Sequence, residues 1–183
     1  LALVVLGIFA GNVTAVSGAV IQMVGHGLTT GLLFLLVGVL YERRHTREMA
    51  DYGGVASQVP VTTTLFMIAM LGSVGLPGLN GFVGEFLILA GVFKAKVWWA
   101  AVAATGLILG AIYLLTLVQK VFWGPNRVKA NLGLTDINAW EFAGAFPMIV
   151  LVVVFGVWPQ PVLDLVRNSV ETVVQIATVR MVP

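Results

Sequence analysis

Two ionisable side chains other than tyrosine fall well inside the apolar stretches of this chain, Glu85 and His26. Glu85 stands in LPGLNGFVGEFLILAGVF (76–93), where two glycine-flanked breaks, LPG and LNG, precede it. An acidic residue in the middle of a bilayer costs roughly 2.5–3.5 kcal/mol on insertion scales, so it usually faces protein or a watery cavity and marks an ion or proton path. Burial disfavours the charged form of any carboxyl and a nearby cation favours it. A carboxyl balanced between the two can load and release protons near neutral pH. The competing reading is that Glu85 caps a helix starting after the break, a task Ser or Asn would do more cheaply.

His26 is flanked by Gly25 and Gly27, with Thr29 and Thr30 just after. Small neighbours leave room for water or a close helix, and the hydroxyls supply hydrogen bonds. An imidazole changes charge at about pH 6.5, which suits a relay. The alternative is a neutral His satisfied by a neighbouring carbonyl. No second ligand accompanies it at a suitable spacing, which argues against a metal site. Secondary candidates for a hydrated path or its support are Gln22, one turn before His26, then Asn80, Tyr113 and Lys120. Gln119 joins them more weakly. Lys120 lies near a helix end, where snorkelling to the interface is the ordinary explanation. No catalytic triad or paired carboxylate is present.

The elements that position these groups must be membrane helices. The 183 residues are 59% hydrophobic and 10% charged, with a mean hydropathy of +1.01. A soluble domain carries roughly a quarter charged residues. The formal net charge of +2 comes without a basic or acidic tail, and nothing points to nucleic acid. The absence of Cys excludes disulfides, thiolate zinc sites and cysteine-ligated iron–sulfur clusters. There is no GxGxxG element for a dinucleotide either. Any redox chemistry therefore belongs to another chain.

Residues 1–10 are apolar without a basic flank, unlike a signal peptide, and too few to cross a core about 30 Å thick. They read as the end of a helix, and the chain as the C-terminal portion of a longer protein. Residues 19–41 form a full span. Residues 61–93 greatly exceed the roughly 20 residues one crossing needs. The excess is absorbed at Gly72, Gly75, Pro77, Gly78 and Gly81, because Pro removes a donor and Gly tolerates unusual dihedrals. The expectation is two half-helices, 61–75 and 82–93, with Glu85 one turn beyond an unwound linker, near the favourable end of a helix dipole. Unwound backbone at membrane depth is tolerated only inside protein or against a cavity, and broken helices build many transporter ion sites. Further spans are 98–123 and 139–158. The last segment, 162–179, reads as an amphipathic helix at the membrane surface, with a short final span as the alternative. Trp98, Trp99, Trp123 and Trp158 fall at span ends, as aromatic belts do.

Orientation follows from Lys and Arg. Arg43, Arg44, Arg47, Lys120, Arg127 and Lys129 share one side, while Lys94, Lys96, Arg167 and Arg180 are on the other. The first side is therefore expected to be cytoplasmic. The run ERRHTRE (42–48) reads as a solvated, orientation-setting loop.

With these residues in view, AVIQMVGHGLTTGLLFLLVGVLYERRHTREMADYGG, LGSVGLPGLNGFVGEFLILAGVF and VFGVWPQPVLD resemble the M-type subunit of respiratory complex I, within the antiporter-like family that includes Mrp cation/proton antiporters. The resemblance covers nearly the whole chain. It implies an all-α, polytopic antiporter-like bundle with a discontinuous helix, of which this chain carries only the second half. The family has fourteen core helices in two inverted five-helix repeats, each with one broken helix. The break here matches the second of these, Glu85 its key acid, and His26 a histidine on the central hydrophilic axis. Glu rather than Lys at position 85 is the M-type pattern. The other broken helix, its Glu–Lys pair and a central lysine would precede Leu1. The resemblance implies proton translocation in a bacterial inner membrane, beside other antiporter-like membrane subunits. NADH, FMN, iron–sulfur clusters and quinone would be held by other subunits, and no cofactor by this chain. The alternatives are an Mrp-type antiporter or membrane-bound hydrogenase subunit of the same fold, and a purely structural scaffold.

Overall fold

Asn12 opens the longest helix by accepting the Ala15 N–H at 3.0 Å through its side chain. The computed structural model describes residues 1–126 and 128–181; Arg127 and the side chain of Arg180, both used above for orientation, lie outside the described residues. A short helix α1 (Ala2–Phe9) turns at Gly11 into α2 (Val13–Arg44). Two basic residues complete the last turn of α2, where cations complement the helix dipole, and His45 ends it in the left-handed region at φ 54°. After a loop with two short 3₁₀ turns come α3 (Pro60–Ser73), α4 (Asn80–Ala95) and α5 (Val97–Val121). A second loop leads to α6 (Ala139–Val157), opened by a capping box between Asn138 and Glu141, and α7 (Gln160–Met181) closes the chain.

The molecule is an all-α bundle. Among the described residues α2, α5 and α6 are long and apolar enough to cross a membrane. Helices α3 and α4, about 21 Å and 24 Å long at 1.5 Å per residue, are each shorter than a hydrocarbon core about 30 Å thick. The chain between them turns through a Schellman motif: Gly75 sits at φ 80°, its N–H bonds the Gly72 carbonyl, and the Leu76 N–H reaches the Leu71 carbonyl at 3.0 Å. Gly78, at φ 93°, completes the turn.

The break falls two residues earlier than expected. It covers residues 74–79, so Asn80 and Gly81 belong to the first turn of α4, and Glu85 is that helix's sixth residue. Gly81 does not supply an unusual dihedral. It is small because a Cβ there would run into the Gly72 carbonyl oxygen, where the two half-helices touch.

Two apolar cores lie on either side of this level. One joins Leu32, Leu36 and Leu40 of α2 to Leu65, Phe66 and Met70 of α3 and to Val118 and Phe122. The other joins Val4, Ala19, Ile88, Val92 and Ala100 from α1, α2, α4 and α5. Residues 22–30 of α2 and 72–85 fall between the two cores, and these stretches hold the polar candidates.

Within 42–48, Glu42, His45, Arg47 and Glu48 are exposed as expected of a solvated segment, but Arg43 and Arg44 are part-buried and paired. The Arg43 side chain is only 13% exposed and forms a bidentate pair with Glu141 at 2.8 and 3.0 Å. Arg44 bonds the fully buried Asn131 at 2.7 Å. The reason is non-local: residues 128–141 fold back over the end of α2 and bring acceptors with them. Helix α7 is amphipathic and packs against α2, with Asp164, Arg167, Asn168 and Glu171 exposed. Trp98, Trp99, Trp123 and Trp158 stand exposed at or just beyond the ends of α5 and α6.

Candidate functional site

Helices α2 and α4 approach closely because small residues line both. A Cβ on Gly84 would run into the Gln22 side chain, one on Gly91 into Ala15, and one on Gly18 into Leu87 and Ile88. This register places Asn80 opposite Gly25 and sets Glu85 beside the break.

Glu85 is 7% exposed. A Cβ on Gly75 would overlap its Oε2, so the carboxylate reaches back over the first turn of α4 to the unwound backbone. It is not the cap of that helix. The N-cap residue is Leu79, with no side-chain bond, and residue six lies beyond the first turn, where the dipole has largely faded. Among the described residues no donor or cation pairs with the carboxylate.

Two further polar groups surround this level. Asn80, 1% exposed, donates through Nδ2 to the Gly25 carbonyl at 3.0 Å, and its Oδ1 has no partner among the described residues. Nor, among them, has the buried Oε1 of Gln22. Buried acceptors left open in this way call for water or another proton donor. Thr29, buried, spends its hydroxyl on the Gly25 carbonyl at 3.0 Å. Thr30 meets His26 Nδ1 at 3.2 Å.

His26 and Thr30 line a cleft of about 380 Å³ together with Ser73, Phe66 and Tyr113. Ser73 faces this cleft and Gly75, two residues on, faces Glu85, so the end of α3 separates the imidazole from the carboxylate. Ser73 was not singled out from the sequence. Its signal was a small hydroxyl at the end of the helix that precedes the break, in an otherwise apolar turn. Lys120 is not on this cleft. It lines a separate one of about 470 Å³ with Glu48 and Tyr52, at the basic end of α5. Thus Glu85, Gln22, Asn80 and Thr29 lie around the break, His26, Thr30 and the 62% exposed Tyr113 line the cleft on the Ser73 side, and Lys120 stands apart.

The family described as NADH:quinone oxidoreductase/Mrp antiporter, TM, matches residues 1–110. The NADH-quinone oxidoreductase subunit M of Rickettsia felis is 49% identical over 169 residues, which cover 92% of this chain and 34% of that protein. This chain therefore spans about a third of the length of the curated relatives it matches. A chain in the structure of respiratory complex I from Thermus thermophilus with bound NADH superposes with a TM-score of 0.83 at 36% identity, over 92% of this chain and 36% of that one. A chain of the Mrp complex from Dietzia has a TM-score of 0.82 at 18% identity, over 91% and 39%, a likeness of fold alone.

Proposed function

The chain belongs to the NADH:quinone oxidoreductase/Mrp antiporter transmembrane family, and on that premise we propose that it is part of an M-type, proton-translocating membrane subunit of a bacterial NADH:quinone oxidoreductase, with Glu85 as a proton carrier. The observation that supports this most is the carboxylate itself. It is buried against unwound backbone, at the level between the two apolar cores, with no salt bridge among the described residues to hold its charge state. Its proton can then be exchanged with water.

The remaining residues fit around that step. The open acceptors of Gln22 and Asn80 would hold water within the polar level between the two apolar cores. His26, with Thr30 beside its ring and Ser73 and Tyr113 across the cleft, would pass protons to or from that water. Helix-end geometry at Gly75 and Gly78 keeps the backbone unwound where the carboxylate needs space. The driving redox chemistry, with NADH, FMN, iron–sulfur clusters and quinone, would sit in other subunits. The partners would be neighbouring antiporter-like membrane subunits and the bilayer. The similarity to subunit M at 49% identity favours this reading over an Mrp antiporter.

The test is Glu85→Gln in the full-length subunit within the intact complex, in sealed vesicles. Assembly is followed on a native gel, and protons pumped are measured per NADH oxidised. The expected result is normal assembly with a sharp fall in pumping and coupled turnover. Wild-type pumping by an assembled variant would reduce the carboxylate to a packing feature.

A further inference from the structure

Helix α3 ends at the residues that face Glu85 and His26, so whatever fixes its other end also fixes theirs. That other end is not capped locally. The N-cap residue, Val59, is fully buried in the apolar core and has no side chain able to cap, while Pro60 at the first position carries no N–H. The two free donors that follow are taken by Asp136, 74 to 75 residues away in the chain. Its Oδ2 accepts the Val61 N–H at 2.7 Å, and its Oδ1 accepts the Thr62 N–H at 3.0 Å and the Thr62 hydroxyl at 2.6 Å. A further bond from the Ile137 N–H at 2.7 Å locks the carboxylate.

Asp136 is in turn held by α2 and α6. Arg43 donates to the carbonyls of Thr135 at 2.6 Å and Asp136 at 3.0 Å, while its remaining donors reach the Val39 carbonyl and Glu141. A local cap would merely complete α3. This remote cap fixes α3 against the helix that carries His26 and against α6. At the far end a Cβ on Gly81 would strike Gly72, so α3 cannot slide without moving the first turn of α4.

We infer that Asp136 is a positioning residue for the Glu85 site: by capping α3 from a distant loop it sets where Ser73 and Gly75 stand relative to the carboxylate and the imidazole. The inference rests on the proton-carrier reading of Glu85.

The test uses the full-length subunit in the intact complex, with Asp136→Ala, Asp136→Asn, Glu85→Gln and the double variant Asp136→Ala/Glu85→Gln. The quantity read is protons pumped per NADH oxidised, normalised to assembled complex. The ratio of Asp136→Ala falls toward that of Glu85→Gln. Asp136→Asn recovers only part of it: the amide oxygen can still accept from Thr62 and Ile137, but an Nδ2 in the place of Oδ2 cannot accept the Val61 N–H. The double variant falls no further than Glu85→Gln alone. An unchanged ratio in Asp136→Ala, with only less complex assembled, would make Asp136 an ordinary cap and overturn the inference. So would additive loss in the double variant. Should Asp136→Ala not assemble, Thr62→Val removes only the hydroxyl bond and is read the same way, a wild-type ratio again overturning the inference. A wild-type ratio in Glu85→Gln would instead remove the proton-carrier reading itself, and that variant reports on it separately.

Discussion

Gly75 and Gly78 form a matched pair for asking whether the Glu85 carboxylate is where the structure puts it. Both hold left-handed backbone, at φ 80° and 93°. Substituting Ala at either costs the left-handed penalty of roughly 1–2 kcal/mol. The surroundings then differ. A Cβ on Gly78 meets nothing within 4 Å, whereas one on Gly75 overlaps Glu85 Oε2 and comes within 3.1 Å of Cδ. The obstruction is the far end of a flexible side chain, so its relief costs little, at the low end of the ~1–3 kcal/mol typical of overpacking. Gly75→Ala and Gly78→Ala should therefore differ in stability by only about 1 kcal/mol while differing plainly in coupling, since only the first evicts the carboxylate. Each variant would be placed in the full-length subunit, and the heat stability of the assembled complex followed on native gels. Protons pumped per NADH oxidised would be measured in sealed vesicles. Equal coupling in the two variants would refute the argument, because the contact that distinguishes them would then be without consequence.

Two other predictions concern the basic end of the bundle. Arg43→Lys keeps the charge but loses the fork that serves Glu141 and three backbone carbonyls. It should cost roughly 2–3 kcal/mol, seen as a lower melting temperature of the complex. A wild-type melting curve would show that the pair is replaceable by a point charge. The Asp136 carboxyl, though partial burial acts to raise it, is held below its ordinary value of 3.8 by the bonds from Thr62, Ile137 and Val61. A depressed folded value stabilises the protein above the unfolded value, and that stability is lost as pH falls through the folded one. The melting-temperature gap between wild type and Asp136→Ala should thus be constant above about pH 4 and narrow below it. A gap that persists unchanged in acid would mean the carboxylate's charge does not matter to the cap.

Much of the architecture is legible in the sequence because its causes are local. Pro77 and the neighbouring glycines cannot continue a helix whatever surrounds them, so the break and the isolation of Glu85 just beyond it follow from a dozen residues. The apolar lengths of α2, α5 and α6, the tryptophans at their ends and the amphipathic character of α7 are likewise properties of contiguous segments. The contacts that make a site of these parts join residues far apart in the chain. Asn80 finds Gly25 at a separation of 55 residues, Asp136 caps Thr62 across 74, and Arg43 reaches Glu141 across 98. Only packing decided that Ser73 and Tyr113 share the His26 cleft while Lys120 does not, and that Arg43 and Arg44 are enclosed rather than solvated. Periodicity and propensity act within a turn or two of the chain. Which buried donor meets which acceptor depends on how closely two helices approach, and here glycines 18, 84 and 91 set that distance only once both helices are in place.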